Sequence, residues 1–184
     1  MRIISGKLKG RKIKGYNLEG TRPTADRVKE SIFSIISSYL DNSVCLDLFA
    51  GSGSLGLEAL SRGAKLVCFV DNNKKVIKTL TENVQALDIS NECIIYHNEY
   101  ISALKYFNKN NIKFDLIFLD PPYNLDIINK ILNYINDYNL LNINGLVICE
   151  RNNNNFKDYY GNLTLIKNKK VGIANVYIYQ NVIE

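Results

Sequence analysis

Apolar residues along this chain keep two periods. From Ser43 onward, short apolar runs take turns with stretches in which apolar residues recur every three or four positions. The runs predict strands over 43–49, 66–71, 93–97, 114–119 and 145–150, and the helical spacing predicts helices over 54–62, 73–87, 100–109 and 126–138. Such alternation argues for a parallel sheet with helices on both faces. Leu163–Lys169 and Ala174–Asn181, joined across Gly172, read as a closing antiparallel hairpin. Ahead of the first strand, Thr24 is placed to cap a helix whose apolar face is Val28, Ile32, Ile35, Ile36 and Tyr39, with Arg27, Glu30, Ser31 and Ser34 on the other face. Arg2–Tyr16 alternate around Gly6 and Gly10 and predict a small antiparallel hairpin, followed by a linker over Gly20–Pro23.

Two strand ends carry chemistry. Behind the apolar run Phe114–Leu119 stands Asp120-Pro121-Pro122-Tyr123, at the carboxyl end of a strand, where open α/β sheets place their ligands. Each proline fixes its own φ and biases the residue before it toward extended geometry, so the carboxylate and the nearby carbonyls are aimed acceptors. Tyr123 adds a flat face for stacking, and the set suits a planar exocyclic amine such as a nucleobase carries. The same dipeptides also punctuate ordinary turns. The second strand end is Val44–Ala50 followed by Gly51-Ser52-Gly53-Ser54-Leu55-Gly56 and a helix, the first βα unit of a nucleotide-binding fold. The spacing satisfies a dinucleotide fingerprint, but Asp47 sits where a pyrophosphate would be repelled and an ammonium group welcomed. Asp71, closing the next strand, is placed to accept ribose hydroxyls, or to cap a helix, a role that Asn72 and Asn73 also offer. S-adenosylmethionine fits this pattern better than a dinucleotide.

Charge narrows the partner. The first 30 residues hold nine Lys/Arg (Arg2, Lys7, Lys9, Arg11, Lys12, Lys14, Arg22, Arg27, Lys29) against three acidic residues, while the whole chain nets only +5. All the excess positive charge therefore lies at one end, where a polyanion would find it. Along a strand, alternation would put Lys7, Lys9 and Arg11 on one face and Lys12 and Lys14 on the other. A solvated hairpin is the plainer reading of an arbitrary basic segment, but beside a candidate base-methylating site nucleic-acid contact is the stronger one. At 184 residues and 46% hydrophobic content the chain suits one core, so a single domain over 1–184 is expected, with about 1–20 as an extension. No run approaches the ~20 apolar residues of a membrane span, and Met1–Ser5 lacks a signal-peptide apolar region. Cys45, Cys68, Cys93 and Cys149 have no paired spacing, and His97 stands alone. Reduced core thiols, no metal, no membrane and a cytoplasmic monomer are the expectations.

With these residues in view, the chain resembles the bacterial small-subunit (16S) ribosomal RNA guanine-N2 methyltransferases, the RsmD family. The resemblance runs through Met1-Arg2-Ile3-Ile4-Ser5-Gly6, Thr21-Arg22-Pro23-Thr24-Ala25-Asp26-Arg27-Val28-Lys29-Glu30-Ser31-Ile32-Phe33, Asp47–Gly56, Phe69-Val70-Asp71, Glu82-Asn83 and Phe118–Tyr123. The Arg-Pro-Thr helix entrance joined to a basic hairpin is its most specific mark. Glu99 stands where many relatives carry aspartate, and Asp71 where glutamate is frequent. The resemblance implies a Rossmann-like class I methyltransferase with a seven-stranded, mostly parallel sheet, a reversed last strand and an N-terminal β-hairpin extension. It implies S-adenosylmethionine as cofactor, with Asp47, Gly51 and Gly53 around its methionine part, Asp71 at the ribose, Glu99 and Tyr100 at the adenine, and Phe49 and Asn72 also in the cofactor pocket. It places Asp120, Pro121, Pro122 and Tyr123 at the target amine. Ribosomal RNA, or a small-subunit assembly particle, would meet Arg2, Lys7, Lys9, Arg11, Lys12, Lys14, Arg22 and Arg27. Three readings stay open beside it: a DNA adenine-N6 or cytosine-N4 methyltransferase, a protein-glutamine methyltransferase, and a catalytically idle RNA-binding assembly factor.

Overall fold

A computed structural model of the chain describes residues 1–15, 26–122, 127–151 and 156–182. In chain order the elements are α1 (Asp26–Ile35), β1 (Val44–Asp47), α2 (Ser54–Ser61), β2 (Leu66–Asp71), α3 (Lys74–Leu87), β3 (Cys93–His97), α4 (Tyr100–Lys109), β4 (Phe114–Leu119), α5 (Ile128–Asp137), β5 (Leu141–Arg151), β6 (Tyr159–Tyr160), β7 (Leu163–Val171) and β8 (Ala174–Asn181). They build one sheet in the order β3-β2-β1-β4-β5-β8-β7-β6. The first five strands run parallel, and β8 returns antiparallel against β5, with β7 antiparallel to β8.

Side-chain alternation along each strand sorts the core into two layers. Cys45, Phe69, Phe118, Ile148 and Val176 face α1, α2 and α3, where Ile32, Phe33, Leu57, Leu60, Leu80 and Val84 complete one apolar cluster. Leu46, Val70, Ile117, Cys149 and Tyr177 face α4 and α5, packing against Leu104, Phe107, Ile131 and Leu132. Strands buried on both faces explain why the sequence shows them as apolar runs instead of apolar–polar alternation. The order of strand addition switches sides between β1 and β4, with β2 and β3 on one side and β5 on the other, and the crevice at their carboxyl ends is where the candidate site lies.

Three features depart from the sequence expectation. The sheet has eight strands instead of seven, because Tyr159 and Tyr160 pair with Thr164 and Leu163 as a two-residue edge strand. β5 begins at Leu141, not at 145: Leu141 pairs with Phe114, and the register then shifts before Leu116 meets Leu146. The N-terminal segment is a turn closed by a single antiparallel bridge, Arg2 to Lys12, with Gly6 and Gly10 at positive φ. Residues 5–10 form that turn, so strand alternation does not sort Lys7, Lys9 and Arg11 onto one face.

Ile3 and Ile13 from this segment are 1% and 3% exposed, so it is packed onto the α1/α2/α3 layer instead of standing free in solvent. Cys45, Cys68 and Cys149 are buried and Cys93 partly so, and burial raises all four thiols above their usual range, Cys45 and Cys93 to about 12 and Cys68 to about 11. Among the described residues no helix is long and apolar enough to cross a membrane. Arg22, Tyr123, the Gly20–Pro23 linker, the Thr24 cap and the Asn152–Asn155 run lie outside the described residues.

Candidate active site at the carboxyl edge of the sheet

β1 ends at Asp47, which is 2% exposed and accepts the Gly56 N–H through Oδ2 at 3.0 Å. It braces the first turn of α2 beneath the glycine loop, one of the places where a helix leaves backbone donors unpaired. Burial pushes its pKa up to about 7; the Gly56 N–H pulls it down, and the nearby Asp120 and Asp71 carboxylates push it further up. The unfolded chain gives up this proton near the ordinary carboxylate pKa and the folded chain only near 7. The stability Asp47 lends is therefore whole below about pH 4 and is lost as pH rises through 7. Asp47→Asn keeps an oxygen for Gly56 without a charge to bury. Its stability relative to wild type should rise by about 1–3 kcal/mol between about pH 5 and pH 8. Urea midpoints read this, and a difference constant across that range would contradict ionisation of a buried group.

Gly51 and Gly53 take φ of +55° and +85°, a region that side chains avoid. Gly53 and Gly56 also serve packing. A Cβ on Gly53 would stand 2.6 Å from Leu80 Cδ1, and one on Gly56 2.3 Å from the Phe69 ring. At these positions the missing Cβ makes room for the protein's own side chains.

Asp71 closes β2 with its carboxylate held from two sides: Oδ2 accepts the Gly51 N–H at 3.1 Å and Oδ1 the Asn73 N–H at 2.9 Å. Each oxygen retains a lone pair, so the group is aimed and still able to accept. Asn73, not Asp71, caps α3, accepting from Lys75 N at 2.9 Å. Asn72 is exposed, and its carbonyl lies 3.1 Å from His97 Nε2. Across the crevice, Phe49 and Tyr100 bring their rings to 5.6 Å, an aromatic wall between the end of β1 and the start of α4. Glu99 is exposed and caps α4 through Oε2 to Ile101 N at 2.9 Å.

Asp120 follows directly on β4 and is half-buried; Pro121 is buried and Pro122 exposed. The Pro122 carbonyl accepts from Arg151 Nη1 at 3.0 Å, and Arg151 is 3% exposed at the end of β5. A buried guanidinium thus pins the segment that follows Asp120. Sequence reading missed this role; the only signal was a charged pair, Glu150-Arg151, ending an apolar strand. Asp71 and Asp120 line a crevice of carboxylates, with the buried Asp47 beneath them feeling both. Such a crevice suits a ligand bearing a sulfonium and an ammonium, and opposes a pyrophosphate. Among the described residues no cluster of His, Cys, Asp and Glu is placed to hold a metal ion.

The N-terminal segment is bolted beside the glycine loop by side chains of α2 and α3. Glu58, fully buried, accepts the N–H groups of Ile4 and Ser5 at 2.8 and 3.0 Å and the Arg62 Nε–H at 2.7 Å. Lys29, also fully buried, lies 3.9 Å from Glu58 and donates to the Arg2 carbonyl at 3.0 Å; burial lowers its pKa against the pull of Glu58 and Asp26. Asn83 accepts from Lys14 N and donates to the Lys14 and Ser52 carbonyls, tying the segment to the glycine loop. Several expected RNA-facing cations have partners within the chain. Lys7 pairs with Glu92, Lys14 with Glu82 at 2.9 Å, Arg2 with Asp26 at 3.7 Å, and Arg11 donates to the Ala86 carbonyl. Lys9, Lys12 and Arg27 are exposed and make no ion pair among the described residues.

Comparison with known proteins bears on this geometry. The family model described as conserved hypothetical protein 95 matches residues 1–180. The chain is 41% identical over 183 residues to the ribosomal RNA small subunit methyltransferase D of Haemophilus influenzae, covering 98% of this chain and 94% of that protein. It is 40% identical over 181 residues to YlbH of Bacillus subtilis, covering 98% of both. The solved structure of yhhF from Escherichia coli matches with a TM-score of 0.87 at 30% identity, over 100% of this chain and 99% of that one.

Proposed function

The chain belongs to the conserved hypothetical protein 95 family, and on that premise we propose that it methylates the exocyclic N2 amine of a guanine in small-subunit (16S) rRNA. At the coarser level it is an S-adenosylmethionine-dependent rRNA methyltransferase. The observation that carries methylation of an amine is Asp120, which follows β4, feels Asp47 and leads into the proline pair; the resemblance to the guanine-N2 methyltransferases supplies guanine as its bearer. The Arg-Pro-Thr entrance at Thr21–Thr24, next to the basic segment, supports RNA over DNA as the substrate. The whole chain is read as one methyltransferase domain, with about 1–20 as its extension.

S-adenosylmethionine, when bound, supplies an electrophilic methyl group on a sulfonium. Asp71, with Asn72 beside it, would hold the ribose, the loop at Gly51–Gly53 and Asp47 the methionine part, and Phe49, Glu99 and Tyr100 the adenine. Asp120 and the Pro121 carbonyl would accept the two N–H groups of the target amine, since the Pro122 carbonyl already serves Arg151. That aims the nitrogen lone pair at the carbon it will bond, and leaves a carboxylate beside the proton that departs as the C–N bond forms. An amine conjugated to a purine is a weak nucleophile, so positioning and the fixed field of the site supply most of the acceleration. Tyr123 would stack on the base once it is drawn from its helix or loop.

Labelled S-adenosylmethionine incubated with the purified protein and either rRNA or duplex DNA tests the reading. Label should enter rRNA only. Transfer to DNA would establish the adenine-N6 or cytosine-N4 alternative, and label in neither, with small-subunit particles from cells lacking the protein also unlabelled, would leave an assembly factor. Asp71→Ala should weaken cofactor binding by about 1.5–3 kcal/mol, the scale of hydrogen bonds to a charged acceptor. Calorimetry giving unchanged affinity in the folded variant would remove Asp71 from the cofactor site.

A further inference from the structure

The sequence draws attention to positive charge at the amino terminus, yet the far edge of the sheet carries a second concentration of it. From Tyr159 to Ile183 there are three lysines, Lys167, Lys169 and Lys170, and no acidic residue. All three are exposed on β7 and make no ion pair among the described residues.

Strand register places these lysines level with the candidate active site. Leu119 pairs with Cys149, Cys149 with Tyr177, and Tyr177 with Asn168. Asp120 is one residue beyond Leu119, and Lys169 is one beyond Asn168 where it pairs with Val176, itself opposite Glu150. Lys169 and Lys170 thus stand at the same rim as Asp120, three strand spacings away, or roughly 14 Å. A bulge between Leu165 and Lys167 resets the alternation, so that Lys167 pairs with Ile178 and Lys169 with Val176. Both partners belong to the apolar cluster under α1, so Lys167 and Lys169 share the α1 face, while Lys170, opposite Asn175, is on the other.

The same face carries the other free cations. α1 packs against β7, and the turn that follows it, Ser37–Tyr39, lies at the end of the strands away from the rim, where Gln180, opposite Leu146 and Thr164, donates to the Tyr39 hydroxyl. The first turn of α1, with Arg27, therefore sits toward the rim, beside Arg2 and the N-terminal segment that Lys29 holds. α1 also brings Asp26 and Glu30 to this region, and Asp26 is already against Arg2 and Lys29.

We propose that Lys167 and Lys169, on the α1 face, with Lys170 behind them at the rim, form a second phosphate-binding wall of the RNA site, across the rim from the N-terminal segment, so that RNA is held from both sides of the crevice. The proposal rests on the reading of the substrate as RNA. Lysines also guard exposed sheet edges against pairing with another chain, and β7 beyond Leu165 has no outer strand neighbour among the described residues. An edge guard has no reason to gather three lysines within four residues at the end level with the site. Counterion release gives the wall a measurable signature, because each phosphate that a lysine ceases to neutralise removes a fixed increment from the salt dependence of binding.

The test is filter binding of a 16S rRNA transcript to wild type, to Lys167→Gln/Lys169→Gln/Lys170→Gln, and to the corresponding triple arginine variant, over a range of salt. The glutamine variant should bind at least about tenfold more weakly at low salt, with a log–log slope shallower by about 0.7–0.9 for each phosphate no longer neutralised. The arginine variant should bind as wild type, and cofactor affinity and melting temperature should be unchanged in both. Unchanged RNA affinity and slope in the glutamine variant would overturn the proposal, and self-association of that variant with intact RNA binding would show the lysines to be an edge guard. Methyl transfer is measured separately: a shallower slope in the glutamine variant, beside a wild type that transfers no methyl, would leave the wall standing and sink the catalytic reading instead.

Discussion

Asp120→Ala is expected to bind S-adenosylmethionine with near wild-type affinity and to lose most of its single-turnover methyl transfer. The split follows from where Asp120 stands. It is placed beyond β4, one strand over from the glycine loop and two from Asp71, which are read as the cofactor seat, and its work is to accept from the amine and stabilise the positive charge that develops as the C–N bond forms. Losing a preorganised acceptor of this kind costs on the order of 10²–10³ in rate. Asp120→Asn keeps one acceptor oxygen without the charge, and should fall between wild type and alanine. Rapid-quench transfer at saturating cofactor, with calorimetry of cofactor binding, checks both halves. Wild-type turnover in Asp120→Ala would reduce the Asp-Pro-Pro segment to a turn.

Glu58→Ala should be the most destabilising single change in the chain, by about 3–5 kcal/mol, a large share of the 5–15 kcal/mol typical of a domain. Four groups lose a partner at once: the Ile4 and Ser5 N–H groups, the Arg62 guanidinium, and the buried Lys29 ammonium. The alanine leaves Lys29 in the interior without the carboxylate that offsets its burial. Glu58→Gln restores an acceptor but no charge, so it should recover part of the loss. Adding Lys29→Met to the glutamine variant should recover more, since the uncompensated cation is then gone. Denaturant unfolding measures these differences, and hydrogen exchange at Ile4 and Ser5 should report early release of the N-terminal segment. A double variant no more stable than Glu58→Gln alone would mean that the ammonium is not the source of the cost.

The sheet was legible because its strands are buried on both faces. Runs such as Phe114–Leu119 need no partner to be recognised, and Asn73 and Gly53 mark helix starts by local chemistry. What escaped was long-range. β5 starts at Leu141 because that residue pairs with Phe114 and because Asn142 Nδ2 reaches Asp115; read locally, Asn142–Gly145 looks like a turn. β6 is two tyrosines whose strand character exists only through β7. The basic segment hides its structure in the same way. Its lysines look equivalent in sequence, but Lys7 finds Glu92 and Lys14 finds Glu82 across 85 and 68 positions of chain. Only folding separates them from Lys9 and Lys12. The carboxylates of the site were visible as residues; the Gly51 and Asn73 N–H groups that aim Asp71, and the Arg151 that pins Pro122, were not.

The central claim is that this crevice methylates the N2 amine of a guanine in small-subunit rRNA. Mass spectrometry of nucleosides from 16S rRNA, with the modified position mapped, in cells with and without this protein, tests it most directly. One N2-methylguanosine should be present with the wild-type protein and absent both without it and with Asp120→Ala in its place. An rRNA whose N2-methylguanosines are the same in all three, or a loss that falls on a methylated adenine or cytosine instead, would contradict it.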